Sequence, residues 1–278
     1  MPLEPLSPST FAFIVQVEQA YARLMQAAAG QGETGLGGRL LYAGDLDEAG
    51  RAAAAAGNIA GAATLAASAD QAARKQAMRD GVVDFLVTSL DEALRILKNQ
   101  VRKREAVAVC VGAGPAAVER EMRERGVEPD LFRSSAASES AGESPRALVA
   151  IRLAGCSADQ LIALGEAAAE TSPLTWLTWR AKDAAALWLP KLDLIALECL
   201  APDAAVSRRW IEHAPRYLGR LAHNARTLRT TEQLAQKIIA QLEQRVANGE
   251  IPVPIEIDLG PWGQSDRRAL KSPSVPSP

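Results

Sequence analysis

Aromatic residues are scarce in this 278-residue chain, at 4%, and histidine is limited to two positions. His213 and His223 stand ten residues apart without a matching Cys/His/Glu cluster, so a zinc centre is not expected. Cysteine is sparse too. Cys110, Cys156 and Cys199 each lie in or beside an apolar run, the pattern of buried reduced thiols in a cytosolic protein. Cys199 follows Glu198 at the end of an apolar run, but without a neighbouring histidine it too reads as a buried thiol. Neither sign of charge dominates, with 31 Lys and Arg against 33 Asp and Glu, so bulk electrostatics indicate neither a nucleic acid nor a membrane partner. No apolar run reaches 18 residues, and Met1-Pro2-Leu3-Glu4-Pro5 lacks the basic start of a leader peptide. These absences point to a soluble, cytoplasmic protein. Both the G-x-S-x-G and the G-x-x-x-x-G-K-[ST] patterns are missing, and no catalytic set is recognisable.

What the chain does have is alanine, within an apolar fraction of 48%. Small side chains suit helices lying close on a sheet. Phe13, Val17, Ala20, Leu24 and Ala28 recur at helical spacing between residues 10 and 29. After a glycine-rich connector, short apolar strands alternate with helices of 10–15 residues. Strands are predicted at 39–43, 63–67, 83–88, 106–111, 130–132, 147–153, 174–179 and 192–198. Helices are predicted near 47–60, 69–80, 90–104, 115–125, 158–170 and 182–190. This alternation predicts an α/β fold, a Rossmann-like parallel sheet with helices on both faces, plus a helical C-terminal region. The polar stretch Ser134–Pro145 reads as a linker. Helix is predicted from Ala204 to Asn248, split at Pro215, and the tail as extended or disordered. The chain thus divides into 1–34 (helix and connector), 35–141 (Rossmann-like domain), 146–248 (α/β continuation and helices) and 249–278 (tail).

In a parallel sheet, ligands sit where strands run into helices. The first such turn, Gly44-Asp45-Leu46-Asp47-Glu48-Ala49-Gly50, has the layout of a dinucleotide-binding unit but carries three carboxylates where a phosphate loop has glycines. Only Gly50 matches. A pyrophosphate beside those carboxylates would be repelled by several kcal/mol at intermediate dielectric. Asp45 and Glu48 have the spacing of an acidic capping box, and Ser89-x-x-Glu92 and Ser157-x-x-Gln160 are further boxes that close their own helices. The exception is Gly112-Ala113-Gly114-Pro115, where Pro115 suits the first helical position and no acid caps the helix. Gly112 and Gly114 therefore form either a tight packing turn or an anion site. Farther on, Arg209, Arg216, Arg220 and His223 share a helical face if the helix survives Pro215, with Trp210, Leu218 and Leu221 on its apolar side. They form either a solvated face or a cationic strip for an acidic partner.

Two runs carry a family resemblance. Thr88-Ser89-Leu90-Asp91-Glu92-Ala93-Leu94 and Arg125-Gly126-Val127-Glu128-Pro129-Asp130 match runs of urocanase (urocanate hydratase), and residues 35–141 resemble its central NAD-binding domain in degenerate form. The resemblance implies a domain in which NAD acts as an electrophile on the substrate imidazole before water adds. Carry-over fails at the cofactor positions: the ribose-holding glutamate falls at Ser68, a following arginine near Ala73, and an Asn-Ala pair becomes Gly114-Pro115. The Gln-Thr-Ser-Ala-His run becomes Ser135-Ala136-Ala137-Ser138-Glu139. No counterpart of the catalytic cysteine region follows residue 141. The expectation is a non-catalytic binding or assembly module that has lost NAD binding, with no cofactor and a homodimer, an unknown protein or a small anion as its partner. Two alternatives stand beside it. One is an active hydratase-type lyase with NAD held around Gly112 and Gly114; the other is a protein- or nucleic-acid-binding module using the arginine strip.

Overall fold

The computed structural model describes residues 6–29, 33–134, 150–153, 174–222, 224–260 and 266–270. The chain divides into two compact units: Phe13–Ala169, and Met1–Ala12 together with Glu170–Pro278.

The first unit is the Rossmann-like one. Its strands β1 (Leu40–Gly44), β2 (Ala63–Ala67), β3 (Phe85–Val87), β4 (Val107–Val111) and β5 (Leu131–Ser134) are all parallel, and β6 (Ala150–Leu153) runs antiparallel on β5. Their order is β3-β4-β2-β1-β5-β6. Helices α1 (Pro8–Ala29), α2 (Glu48–Ala60), α3 (Gln71–Arg79), α4 (Leu90–Lys103) and α5 (Pro115–Glu124) complete the region, α1 beginning in the other unit. Strand alternation decides what each face buries. Tyr42, Leu65 and Val109 point one way, into a core with Leu90, Ala93, Leu94 and Leu97 of α4 and Val118 and Met122 of α5. Leu41 and Thr64 point the other way, onto α2. There a Cβ on Gly57 would come within 2.5 Å of Leu41 and 2.8 Å of the Thr64 hydroxyl. The fully buried run Ala52–Ala56 makes that close approach feasible. Helices therefore cover both faces.

The two runs that carry the family resemblance hold this scaffold together. Ser89 caps α4 by accepting from the Glu92 N–H at 3.3 Å, and the Glu92 carboxylate accepts from the Thr88 N–H at 2.9 Å. Arg125 pairs with Asp91, joining one run to the other. Asp130 accepts from the Leu40 N–H at 2.7 Å and so ties the start of β5 to the start of β1. Gly126 turns the chain after α5 at φ +64°, a conformation that favours glycine.

The second unit is an antiparallel sheet of order β10-β9-β7-β8, formed by β7 (Leu174–Ala181), β8 (Ala225–Thr231), β9 (Ile255–Leu259) and β10 (Asp266–Leu270), with α6 (Ala185–Cys199), α7 (Ala205–Leu218) and α8 (Glu232–Ala247). Trp179 donates to Asp193 of α6 at 3.1 Å, and Trp210 of α7 donates to the Thr227 carbonyl at 2.7 Å. Arg180, fully buried, pairs with Asp258 and, at 3.4 Å, with Glu256.

Several elements differ from the sequence reading. Residues 192–198 are not a strand; they are the second half of α6, which runs through Pro190. Leu189, Leu192, Asp193, Ile195, Ala196 and Cys199 are the buried positions, at helical spacing of three and four, and that period outweighs the short apolar run. The stretch from Ala204 to Asn248 is not all helix. α7 survives Pro215 and ends at Leu218, and the Thr-rich Ala225–Thr231 forms β8. Within the tail, 255–259 and 266–270 are strands. The predicted helix at 158–170, the box at Ser157 and nearly all of the Ser134–Pro145 linker lie outside the described residues, as does Cys156. Among the described residues, no helix is long and apolar enough to cross a membrane.

Candidate functional site: the crevice between β1 and β5

The chain leaves β1 toward β2 on one side, while β5 is reached on the other, so the strand order reverses between β1 and β5. At that reversal the carboxyl ends of the strands open the crevice in which a Rossmann-like domain holds its ligand. Its floor here is the acidic turn after β1, and its centre is filled by Arg133. The buried Arg133 guanidinium, carried on β5, donates to the Ala43 carbonyl at 2.9 Å. Its other terminal nitrogen donates to both carboxylate oxygens of Asp47 at 3.0 Å. One nitrogen thus holds both carboxylate oxygens, a charge-assisted contact that is stronger than a neutral hydrogen bond.

Asp47 also caps α2, accepting from the Gly50 N–H at 2.6 Å. The helix start is thus satisfied from within the chain. Gly50 has no alternative: a Cβ there would overlap the Asp45 carbonyl oxygen and lie 2.9 Å from the Arg133 guanidinium. The other two carboxylates are engaged as well. Asp45 accepts from the Leu46 N–H at 2.7 Å, and Glu48 accepts from the Gln16 amide at 2.8 Å. The cap is thus Asp47 with Gly50 rather than the Asp45/Glu48 box. The three carboxylates are not bare: one is paired with an internal cation and the other two accept hydrogen bonds.

Arg133 escaped the sequence reading, although an arginine in Leu131-Phe132-Arg133, facing an acidic turn across parallel strands, is a usable signal. Beside it, Tyr42 of β1 stacks on Phe132 with ring centroids 5.0 Å apart. Burial, then the nearby Glu119 carboxylate, pushes the Tyr42 hydroxyl above its ordinary range. It stays protonated and donates to the Pro115 carbonyl at 3.4 Å.

The second turn is open. Gly114 is the N-cap of α5 with no side-chain cap, Pro115 holds the first helical position, and a Cβ on Gly114 would meet nothing within 4 Å. Gly112 differs, because a Cβ there would overlap the Arg74 guanidinium and stand 3.4 Å from the Val87 carbonyl oxygen. The Arg74 Nε is buried without a hydrogen-bond partner among the described residues. The Arg74 guanidinium therefore rests against Gly112, whereas nothing packs on Gly114. Ser68, at the ribose position, is buried and its N–H donates to the Val111 carbonyl at 3.1 Å. Cys110 is no nucleophile: burial raises its thiol to about 11.

The arginine strip is only partly assembled. Arg209 and Arg216 lie on α7, Arg220 comes after its end, and His223 is outside the described residues. Arg216 lies over the Tyr217 ring, 5.4 Å from its centroid. His213, on the same helix, is pushed below its ordinary range by burial and then by Arg209, with Arg216 adding to this. A histidine with a lowered folded value stabilises the fold above its unfolded value of about 6.5 and loses that contribution as pH falls below it. Unfolding free energy is therefore expected to decline on acidification from pH 7 toward pH 5. His213→Gln should flatten that part of the profile, as read from denaturant titrations at each pH.

The sheet order, the helices on both faces and the switch-point crevice define the first unit as a Rossmann-like domain. Residues 15–150 match the family described as Urocanase Rossmann-like domain, which bears out the resemblance read from the two runs. The match includes most of α1 and covers just under half of the chain. S-methyl thiourocanate hydratase of Variovorax sp. (strain JCM 16519 / RA8) is 28% identical over 115 residues. That stretch is 41% of this chain and 21% of the relative, so the likeness spans about a fifth of that protein.

Proposed function

We propose that this chain is a cytoplasmic, non-catalytic binding or assembly module built on a urocanase-type Rossmann-like domain, without NAD and without urocanate hydratase activity. A single observation carries the reading: Arg133 and Asp47 occupy, with their own charges, the crevice where a dinucleotide pyrophosphate would dock. Ser68 in place of a carboxylate removes the usual acceptor for a ribose hydroxyl pair.

A ligand that binds the folded state raises the unfolding temperature. Millimolar NAD is expected to leave the thermal transition of the protein where it is. Asp45→Gly/Asp47→Gly/Glu48→Gly, which strips the turn of its acids and frees Arg133 for a phosphate, is expected to gain an NAD-dependent rise. An NAD-dependent rise in the unaltered protein overturns the reading.

A second reading is an active lyase with a rearranged cofactor site. It is favoured by the uncapped start of α5 and by the unpartnered Arg74 Nε near it. It requires the NAD-dependent rise, and requires Gly114→Val to abolish it; the space around Gly114 lets that variant fold.

A further inference from the structure

The outer side of α6 is apolar and uncovered. Leu187 and Leu194, two turns apart, are 57% and 59% exposed, and Pro190 between them is exposed as well. The opposite side of the helix is already buried in its own unit through Leu189, Leu192, Ile195 and Cys199. A helix that is apolar all round normally finds cover on both sides.

The charges along this outer side are self-complementary. Lys191 rests over the Trp188 ring, 4.2 Å from its centroid, and no carboxylate pairs with it among the described residues. Glu198, seven residues on, is 63% exposed and held at 2.6 Å by Arg245. We infer that α6 is the docking face for a second copy of this chain, packed antiparallel about a twofold axis beside Leu194. That register sets Lys191 of each copy opposite Glu198 of the other. It also carries the exposed Leu187 of each copy beyond Cys199, where α6 of the other ends. One arrangement therefore pairs the charges and sets Leu194 against Leu194, as an isologous interface requires. Leu194 meets its own counterpart at the axis. Leu187 lies about 22 Å from its counterpart, at 1.5 Å of rise per residue. One helix from each copy makes a small interface, so the dimer is concentration-dependent.

The inference does not depend on the state of the dinucleotide crevice, and its test reads mass rather than NAD. Sedimentation of the full chain across a concentration series is expected to show a monomer–dimer equilibrium. Leu187→Lys/Leu194→Lys, at two exposed positions, should be monomeric with an unchanged circular dichroism spectrum and thermal transition. In a Cys156→Ser background, Leu194→Cys should give an oxidised covalent dimer and Leu187→Cys should not. A monomer at every concentration, a dimer that survives the double lysine variant, or cross-linking at 187 rather than 194 overturns the inference.

Discussion

Replacing Gly50 by alanine should destabilise the protein by on the order of 4 kcal/mol, a loss at the upper end for single substitutions. The added Cβ meets a backbone carbonyl, that of Asp45, and no side-chain rotation can relieve the overlap. The first turn of α2 and the acidic loop must separate. Separation breaks the Asp47 cap on the Gly50 N–H and shifts the carboxylate that Arg133 holds. Gly114→Ala is the matched control, since a Cβ there touches nothing within 4 Å. Its cost should stay within about 0.5 kcal/mol, the usual range for surface changes. Denaturant midpoints of the two variants against the parent decide the matter. Equal losses would mean that Gly50 is not the residue on which the loop closes.

The second large effect is expected in the other unit. Asp258→Ala should cost about 3–5 kcal/mol, because it takes from the fully buried Arg180 guanidinium its nearer carboxylate and leaves the Glu256 pairing at 3.4 Å. The Arg180 Nε already lacks a partner among the described residues, so no spare acceptor compensates there. Arg180→Met/Asp258→Leu, which removes both charges and keeps the volume apolar, should be markedly less harmful than the single change. Chemical denaturation separates the two. If the double variant lost as much as the single one, the cost would come from packing rather than from a stranded charge.

The parallel sheet was legible because its signal is local. Continuous apolar strands such as Val107–Val111 and the caps at Ser89 and Gly114 are written in consecutive residues. Pairings distant in sequence were not legible. Arg133 meets Asp47 across 86 positions, and Arg74 reaches Gly112 from another helix, so neither is visible from spacing. The three acids of the turn after β1 are visible in the sequence, but the partners they take, Arg133 and the N–H groups of Leu46 and Gly50, are not. In the C-terminal region, Pro215 does not split its helix as its missing N–H would suggest, and α6 likewise runs through Pro190. Both sit inside helices whose buried faces hold them. β8 was hidden because Ala225–Thr231 lies between two helices and its alternation is broken at Thr227 and Leu228, which are both buried.

The account thus describes a Rossmann-like domain that keeps the residues joining its strands and helices and satisfies its own ligand crevice. Leu90, Ala93 and Leu94 are buried in the core, and it is the Asp47–Arg133 pair that we propose closes the place of the cofactor. The measurement that tests this most directly is isothermal titration of the purified chain with NAD, run beside Arg133→Ala/Asp47→Ser, which empties the crevice while Ser retains a helix cap. The account predicts no saturable heat for the unaltered protein at millimolar NAD. Saturable binding by the unaltered protein, at one site per chain and retained in Gly114→Val, would contradict it. Such binding would place the dinucleotide in the crevice that Arg133 is held to fill.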